Sequence, residues 1–125
     1  MRLLLDTHIF LWAVAGSPRL KPATRHLIED AEQTFVSAAS IWEVAIRARL
    51  GKVEADPHEL AAAIEASGFT ELHVTASHAA GAADLPLHHN DPFDRLLVAQ
   101  ARAEPLKLVT ADEVLAKYSD LVVLV

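Results

Sequence analysis

Four acidic residues stand near the ends of predicted strands or at the starts of predicted helices. Asp6 directly follows a run of three leucines, and Asp112 comes two residues after the fourth predicted strand. Glu43 and Asp94 each lie in the first turn of a predicted helix. Carboxylates brought close together repel one another and stay ionised only with cations among them. Because oxygen ligands suit Mg²⁺ and Mn²⁺, these acids could hold such ions, which bind phosphates and activate water.

Three of the four acids also fit a local role at a helix N-terminus. Glu43 lies three residues after a serine, which is the spacing of a capping box. Asp94 follows an Asp-Pro pair typical of an N-cap and first helical position, and Asp112 has a similar setting. Asp6 has no clear capping signature, so its place after an apolar strand favours a functional role. Spacing alone leaves capping and metal binding open for the other three.

Short apolar runs alternate with amphipathic segments along the chain, and this order predicts an α/β fold. Strands are predicted at residues 3–5, 34–37, 71–74, 106–110 and 121–125. Helices are predicted at residues 9–15, 21–33, 40–50, 56–68, 91–103 and 111–118, with one more after Thr75. Such alternation favours a parallel sheet covered on both faces, with ligands at its carboxyl edge. That edge would bring the four acids together.

The composition fits one globular domain and excludes several classes of site. The chain has 125 residues, of which 52% are hydrophobic and 22% charged, so we predict a single domain over residues 1–125. The absence of cysteine excludes disulfides, zinc–thiolate sites, iron–sulfur clusters and thiol catalysis. A formal charge of −6 argues against nucleic-acid binding through net charge alone. A local basic patch, or metal ions in an acidic site, would still permit that substrate.

The N-terminal segment has some features of a signal peptide. It combines a basic start, an apolar stretch and small residues, but Asp6 and His8 interrupt the apolar stretch. No window of the sequence approaches the roughly 18 apolar residues of a membrane span. We therefore expect a cytoplasmic protein that does not enter a membrane.

The acidic residues belong to longer segments with a recognisable order. These segments are LLLDTHIFLW, SAASIWEVAIRARLGK, DPFDRLLVAQA and LVTAD. In this order they resemble the PIN-domain family, and most closely its VapC-type toxin ribonucleases of prokaryotic toxin–antitoxin pairs. The resemblance spans nearly the whole chain. It implies an α/β/α sandwich with a parallel sheet, a Mg²⁺- or Mn²⁺-dependent endoribonuclease acting on RNA, and an antitoxin partner that blocks the cleft.

The resemblance also assigns roles to the acids, residue by residue. It identifies Asp6, Glu43 and Asp94 as the first three catalytic, metal-binding positions of the family. The fourth position, which varies most within the family, falls on Asp112. Thr7 matches the small hydroxyl residue that often supports the site in this family. Asp91 fits an N-cap better than a ligand, so we assign it to capping and Asp94 to metal.

Histidines and basic residues near these segments are further candidates. His88 and His89 lie in a polar loop and are predicted to be exposed, whereas His8 is close enough to Asp6 to line the cleft. The basic stretch consists of Arg47, Arg49 and Lys52. It is interpreted either as a solvated helix face or as a contact for phosphate or partner carboxylates. Arg95 could orient a carboxylate or contact RNA phosphate.

Large apolar side chains on the N-terminal helices exceed what one small core needs. Trp12 and Trp42 lie in largely apolar helices, which favours burial in the core or in an interface over base stacking. With Phe10, these faces predict a homodimer, a groove for the partner, or both.

Two other functions compete with the ribonuclease. A phospho-acceptor signalling domain of flavodoxin-like order would need a second acid beside Asp6, but Thr7 stands there. It would also need an aspartate after the third strand and a lysine after the fourth, and neither is present. A catalytically idle PIN-like binding module is the third possibility, against which the presence of all four acids argues.

Overall fold

A computed structural model describes residues 1–125 and alternates strands with helices along most of the chain. The elements are β1 (Arg2–Leu5), α1 (Thr7–Ala15), α2 (Pro22–Asp30), β2 (Gln33–Ser37), α3 (Ala38–Arg49), α4 (Pro57–Ala66), β3 (Thr70–Leu72), α5 (Ala76–Ala83), α6 (Pro92–Ala103), β4 (Lys107–Thr110), a 3₁₀ turn (Leu115–Lys117) and β5 (Val122–Leu124). The predicted α/β fold is confirmed. None of these helices combines the length and the apolar character that a membrane-spanning helix needs.

The five strands form one sheet in the order β3-β2-β1-β4-β5, and every pair is parallel. The central strand is β1, in which Leu4 pairs with Phe35 of β2 on one side and Leu108 of β4 on the other. The chain winds outward from β1 to β3 and then returns to the opposite side of β1. Ligands of open α/β sheets bind where the winding reverses, here between β1 and β4. A flavodoxin-like order would be β2-β1-β3-β4-β5, which this sheet does not have.

The sheet separates two apolar clusters, so the molecule is a three-layer sandwich. Leu3 and Leu5 face one cluster, which includes Phe10 of α1, and Leu4 faces the other, which includes Leu97 of α6. Successive residues of β1 point to opposite faces of the sheet, and helices cover both faces. The three leucines and the two helical side chains that face them are therefore all buried. The apolar packing on both faces of β1 fixes the position of the residue that follows it.

The start of α3 differs from its prediction. Ser37 is the N-cap, since its hydroxyl accepts a hydrogen bond from the Ala39 N–H at 3.1 Å. The predicted capping box of Ser40 and Glu43 is therefore wrong, and Glu43 lies in the second turn of the helix rather than the first. Both side chains are buried instead of capping.

The C-terminal region is less helical than its sequence predicts. Residues 111–118 contain only the 3₁₀ turn Leu115–Lys117. Asp112 begins a tight turn here, because its Oδ1 accepts a hydrogen bond from the Val114 N–H at 2.9 Å. Asp112 thus caps this turn, although it does not cap an α-helix.

Candidate active site

Asp6 lies at the carboxyl end of β1, next to the point where the sheet reverses its winding. Its N–H donates to the Val109 carbonyl oxygen at 2.9 Å, which continues the pairing with β4. Oδ1 accepts from the Thr7 N–H at 2.7 Å, and Oδ2 accepts from the Thr110 hydroxyl at 2.6 Å. Asp6 therefore does occupy the N-cap of α1, which its sequence context did not indicate. Burial raises the pKa of Asp6, and these two hydrogen bonds oppose the increase.

Glu43 reaches the same edge from α3 and is only 3% exposed. The Thr7 hydroxyl donates to Oε1 at 2.8 Å, and the Arg47 guanidinium lies 2.9 Å from Oε2. The hydroxyl groups of Thr7 and Ser40 are 2.9 Å apart. Thr7 thus bridges two acids of the site: its N–H donates to Asp6 and its hydroxyl donates to Glu43.

The two aspartates at the start of α6 have different surroundings. Asp91 is the N-cap, as predicted, and its Oδ1 accepts from the Phe93 N–H at 2.9 Å. Asp94 lies in the first helical turn, and no backbone N–H donates to its carboxyl group. The pKa of Asp94 is raised to about 8, most by burial and further by repulsion from neighbouring carboxylates. The repelling carboxylates are, in order of effect, Asp6, Asp91, Glu43 and Asp112.

His89 joins the remaining two acids, although the sequence predicts it to be exposed. Its side chain is only 22% exposed, so that prediction is wrong. Nε2 lies 3.1 Å from Oδ2 of Asp94 and 3.1 Å from Oδ2 of Asp112. One ligand atom from each of these three residues falls within 4.8 Å of the others. His89 is the functional candidate that sequence reasoning undervalued, because a polar loop gave no sign of its contacts.

All four predicted acids line one open cleft of about 460 Å³. It is lined by Asp6, His8, Trp12, Arg19, Glu43, Arg47, His89, Asp91, Asp94, Ala111 and Asp112. His8 lines the cleft as expected, whereas the sequence did not single out Arg19. Carboxylates outnumber arginines in this lining, and the donor set of oxygens fits a hard divalent cation. Such a cation would relieve the repulsion that raises the pKa of Asp94.

The structure excludes one predicted role for each of two residues near the cleft. The Arg95 guanidinium donates to the carbonyl oxygens of Ala82, Leu85 and Pro86 and contacts no carboxylate of the site. Its predicted role in orienting a carboxylate is wrong. Trp42 is not in the core, since it is 64% exposed and packs edge-on against Phe93 with ring centroids 5.4 Å apart. Trp12 is partly buried and packs against the core beneath α1.

The model of the PIN domain family matches residues 3–121 of the chain. The chain belongs to the PIN domain family. It is 35% identical over 116 residues to Ribonuclease VapC22 of Mycobacterium tuberculosis (strain ATCC 25618 / H37Rv), covering 87% of this chain and 85% of that protein. The predicted resemblance to VapC-type proteins is thereby confirmed.

Solved structures with the same fold are more distant in sequence. VapBC2 from Rickettsia felis, solved bound to a DNA fragment from its promoter, has a TM-score of 0.70 at 17% identity, covering 100% of this chain and 98% of that one. Mycobacterium tuberculosis VapC20, described as a sarcin-ricin loop cleaving toxin, has a TM-score of 0.65 at 19% identity, with coverages of 94% and 97%. These likenesses show the sandwich fold.

The raised pKa of Asp94 predicts how the metal-free protein responds to pH. In the unfolded chain the pKa is near 3.8, and in the folded protein it is about 8. The folded state therefore holds this proton more tightly, which stabilises it fully below the unfolded pKa and progressively less as the pH rises toward 8. We expect the thermal midpoint of the metal-free protein to fall between pH 5 and pH 8, and to fall less in Asp94→Asn.

Circular dichroism at a series of pH values measures this difference. Asp30→Asn, at an exposed position on α2, is the matched control and should follow the wild-type curve. Parallel curves for Asp94→Asn and the wild type would contradict a raised pKa of Asp94 in the folded protein.

Proposed function

We propose that this PIN-domain protein is an endoribonuclease that depends on Mg²⁺ or Mn²⁺, and that it acts as the toxin of a type II toxin–antitoxin pair. The activity is supported by the 35% identical relative, Ribonuclease VapC22. The observation that carries the proposal is the convergence of Asp6, Glu43, Asp94 and Asp112 on one cleft at the carboxyl edge of the sheet.

The four acids have complementary roles in the proposed reaction. Asp6, Glu43 and Asp94 would hold the divalent cation, and Asp112 would hold it directly or through water. When bound, Mg²⁺ or Mn²⁺ supplies charge that lowers the pKa of a water nucleophile and stabilises the departing oxygen of a phosphodiester. Because three of these side chains are already fixed by hydrogen bonds, little reorganisation is needed before an RNA strand reaches the cleft.

Two arginines give the acidic cleft a means of holding RNA. Arg19 is exposed at the rim, and the Arg47 side chain is 40% exposed while paired with Glu43. Guanidinium groups bind phosphate oxygens in two-pronged geometry and fix the position of a nucleic-acid strand. We assign them to backbone phosphates on either side of the scissile bond.

An antitoxin is the proposed protein partner. The solved neighbours include a toxin–antitoxin complex from Klebsiella pneumoniae, which supports a partner of the same kind for this chain. A basic side chain of the antitoxin, inserted among the acids, would neutralise the cleft and exclude metal.

We further propose that the protein acts in the cytoplasm, and that residues 1–125 form a single PIN domain.

A homodimer is the second proposed assembly. Trp42 and Ile46 lie one turn apart on α3, and Leu50 is the C-cap at its end; these side chains are 64%, 36% and 64% exposed. Spacing of four residues places them on one stripe of the helix, and a contiguous exposed apolar patch marks an interaction surface. A second copy of this chain packed on the stripe would bury it.

Substitution of the acids tests the ribonuclease directly. Asp6→Asn and Asp94→Ala should abolish Mn²⁺-dependent cleavage of a fluorescent RNA while circular dichroism shows a folded protein. Asp91→Ala is the matched control: losing the cap should cost about 0.5–2 kcal/mol of stability, yet much cleavage should remain at low temperature. EDTA should stop the wild-type reaction.

Two results of this assay would contradict the proposal. Full cleavage by folded Asp6→Asn would show that Asp6 does not hold a metal ion needed for the reaction. A wild type that cleaves no RNA would favour a catalytically idle binding module. Loss of cleavage in Asp91→Ala with full activity in Asp94→Ala would exchange the roles of the two aspartates.

Light scattering with size exclusion tests the dimer. We expect the wild type to have twice the mass of one chain and Trp42→Glu to have the mass of one. Val74→Glu, a change at a residue 40% exposed outside the stripe, should leave the dimer intact. A strictly monomeric wild type would contradict this assembly.

A further inference from the structure

His89 is held in place from three sides by residues outside the four acids. The backbone N–H of His89 donates to the Tyr118 hydroxyl at 2.7 Å, and that hydroxyl lies 3.3 Å from the backbone carbonyl oxygen of His89. The Asp91 N–H donates to Nδ1 of the imidazole ring at 3.0 Å. Arg95 fixes the end of α5 and the loop after it through three backbone carbonyl oxygens. The ring is thus positioned by the local N–H of Asp91 and by the distant Tyr118, and it is not a mobile surface histidine.

The hydrogen bond at Nδ1 determines what Nε2 can do. Because Nδ1 accepts the Asp91 N–H, it carries no proton, and the neutral ring carries its proton on Nε2. Nε2 is therefore a donor. It hydrogen-bonds to Oδ2 of Asp112 at 3.1 Å, and it lies 3.1 Å from Oδ2 of Asp94 without a hydrogen bond to that oxygen. A metal ligand needs a free lone pair on that nitrogen. Ligation would require a proton on Nδ1, directed against the N–H of Asp91.

We infer that His89 is a positioning residue, which holds the Asp112 carboxylate beside that of Asp94 by donating to it from Nε2, and that it does not bind the metal. This inference rests on the proposed function, since it concerns the residues assigned there to a divalent cation. It predicts a site with oxygen ligands only. Residues that hydrogen-bond to metal ligands typically change metal affinity 10–100-fold when they are removed.

The arrangement also explains the otherwise unassigned contacts of Arg95 and Tyr118. Neither side chain reaches the cleft lining, yet both fix the loop that carries His89. Asp91 contributes twice: its side chain caps α6, which carries Asp94, and its N–H sets the orientation of the imidazole. One short segment therefore positions a donor and the carboxylate that it contacts.

Calorimetric titration with Mn²⁺ alone tests the inference. His89→Ala should bind Mn²⁺ about 10–100-fold more weakly than the wild type. His89→Gln should recover most of that loss, because its amide N–H can replace the Nε2 donor. His26→Ala, an exposed position on α2, should bind like the wild type. Equal affinities for the wild type and His89→Ala would overturn the inference but not the proposed function, whereas a wild type that binds no Mn²⁺ would overturn both.

Nitrogen NMR of the wild-type imidazole gives an independent readout that needs no variant to fold. We expect the proton of His89 to stay on Nε2, with Nδ1 unprotonated, both without metal and with saturating Mg²⁺. A shift of the proton to Nδ1 when Mg²⁺ binds would show that Nε2 has become a ligand and would overturn the inference. Failure of His89→Gln to regain Mn²⁺ affinity, in a folded protein, would also contradict it.

Discussion

Repulsion among carboxylates confined to one cleft is the constraint on which this structure depends. The fold meets it by giving both carboxyl oxygens of Asp6, Glu43 and Asp112 a hydrogen-bond donor or a basic partner. The Asp6 oxygens accept from Thr7 and Thr110, Oε1 of Glu43 accepts from Thr7, and Oε2 of Glu43 is paired with Arg47. Asp94 alone accepts no hydrogen bond, although the His89 ring lies 3.1 Å away, and its pKa is raised to about 8. It is the group whose charge an added cation would most stabilise.

The parallel strands bring the acids together because the carboxyl ends of the strands lie at one edge of the sheet. Asp6 and Asp112 follow β1 and β4, the two strands on either side of the point where the winding reverses. The Thr110 hydroxyl joins them, since it donates to Asp6 and accepts from the Asp112 N–H at 3.0 Å. Helices α3 and α6 then bring Glu43 and Asp94 to the same cleft from opposite faces of the sheet. Apolar packing on both faces of β1 keeps this geometry rigid.

The sequence predicts the parts of this arrangement that depend on local pattern. Leucine runs and turn residues indicate the strands, and the Asp-Pro pair correctly separates the cap Asp91 from Asp94. The Asp94 motif, with the order of the four acidic segments, is enough to identify the PIN domain family. Predictions that depend on a single local match are less reliable: the apparent capping box at Glu43 fails because Ser37 occupies the N-cap earlier.

Contacts between distant segments are what the sequence could not predict. His89 and Tyr118 are far apart along the chain, and nothing in the polar loop indicates that the Tyr118 hydroxyl holds the His89 backbone. Arg95 lies beside Asp94 in sequence, which suggests a role in the site, yet its guanidinium points away from the site and binds carbonyl oxygens at the end of α5 and in the loop after it. Side-chain direction on a helix depends on the neighbouring loop, and so this distinction needed the structure.

The most direct test of the central claim is an anomalous-scattering map of crystals soaked in Mn²⁺. We predict a peak inside the acidic cleft, with carboxyl oxygens of Asp94 and of at least one other site acid at about 2.0–2.6 Å, and with His89 still donating to Asp112. A cleft without a peak at saturating Mn²⁺, or a peak held only by residues outside the four acids, would contradict it.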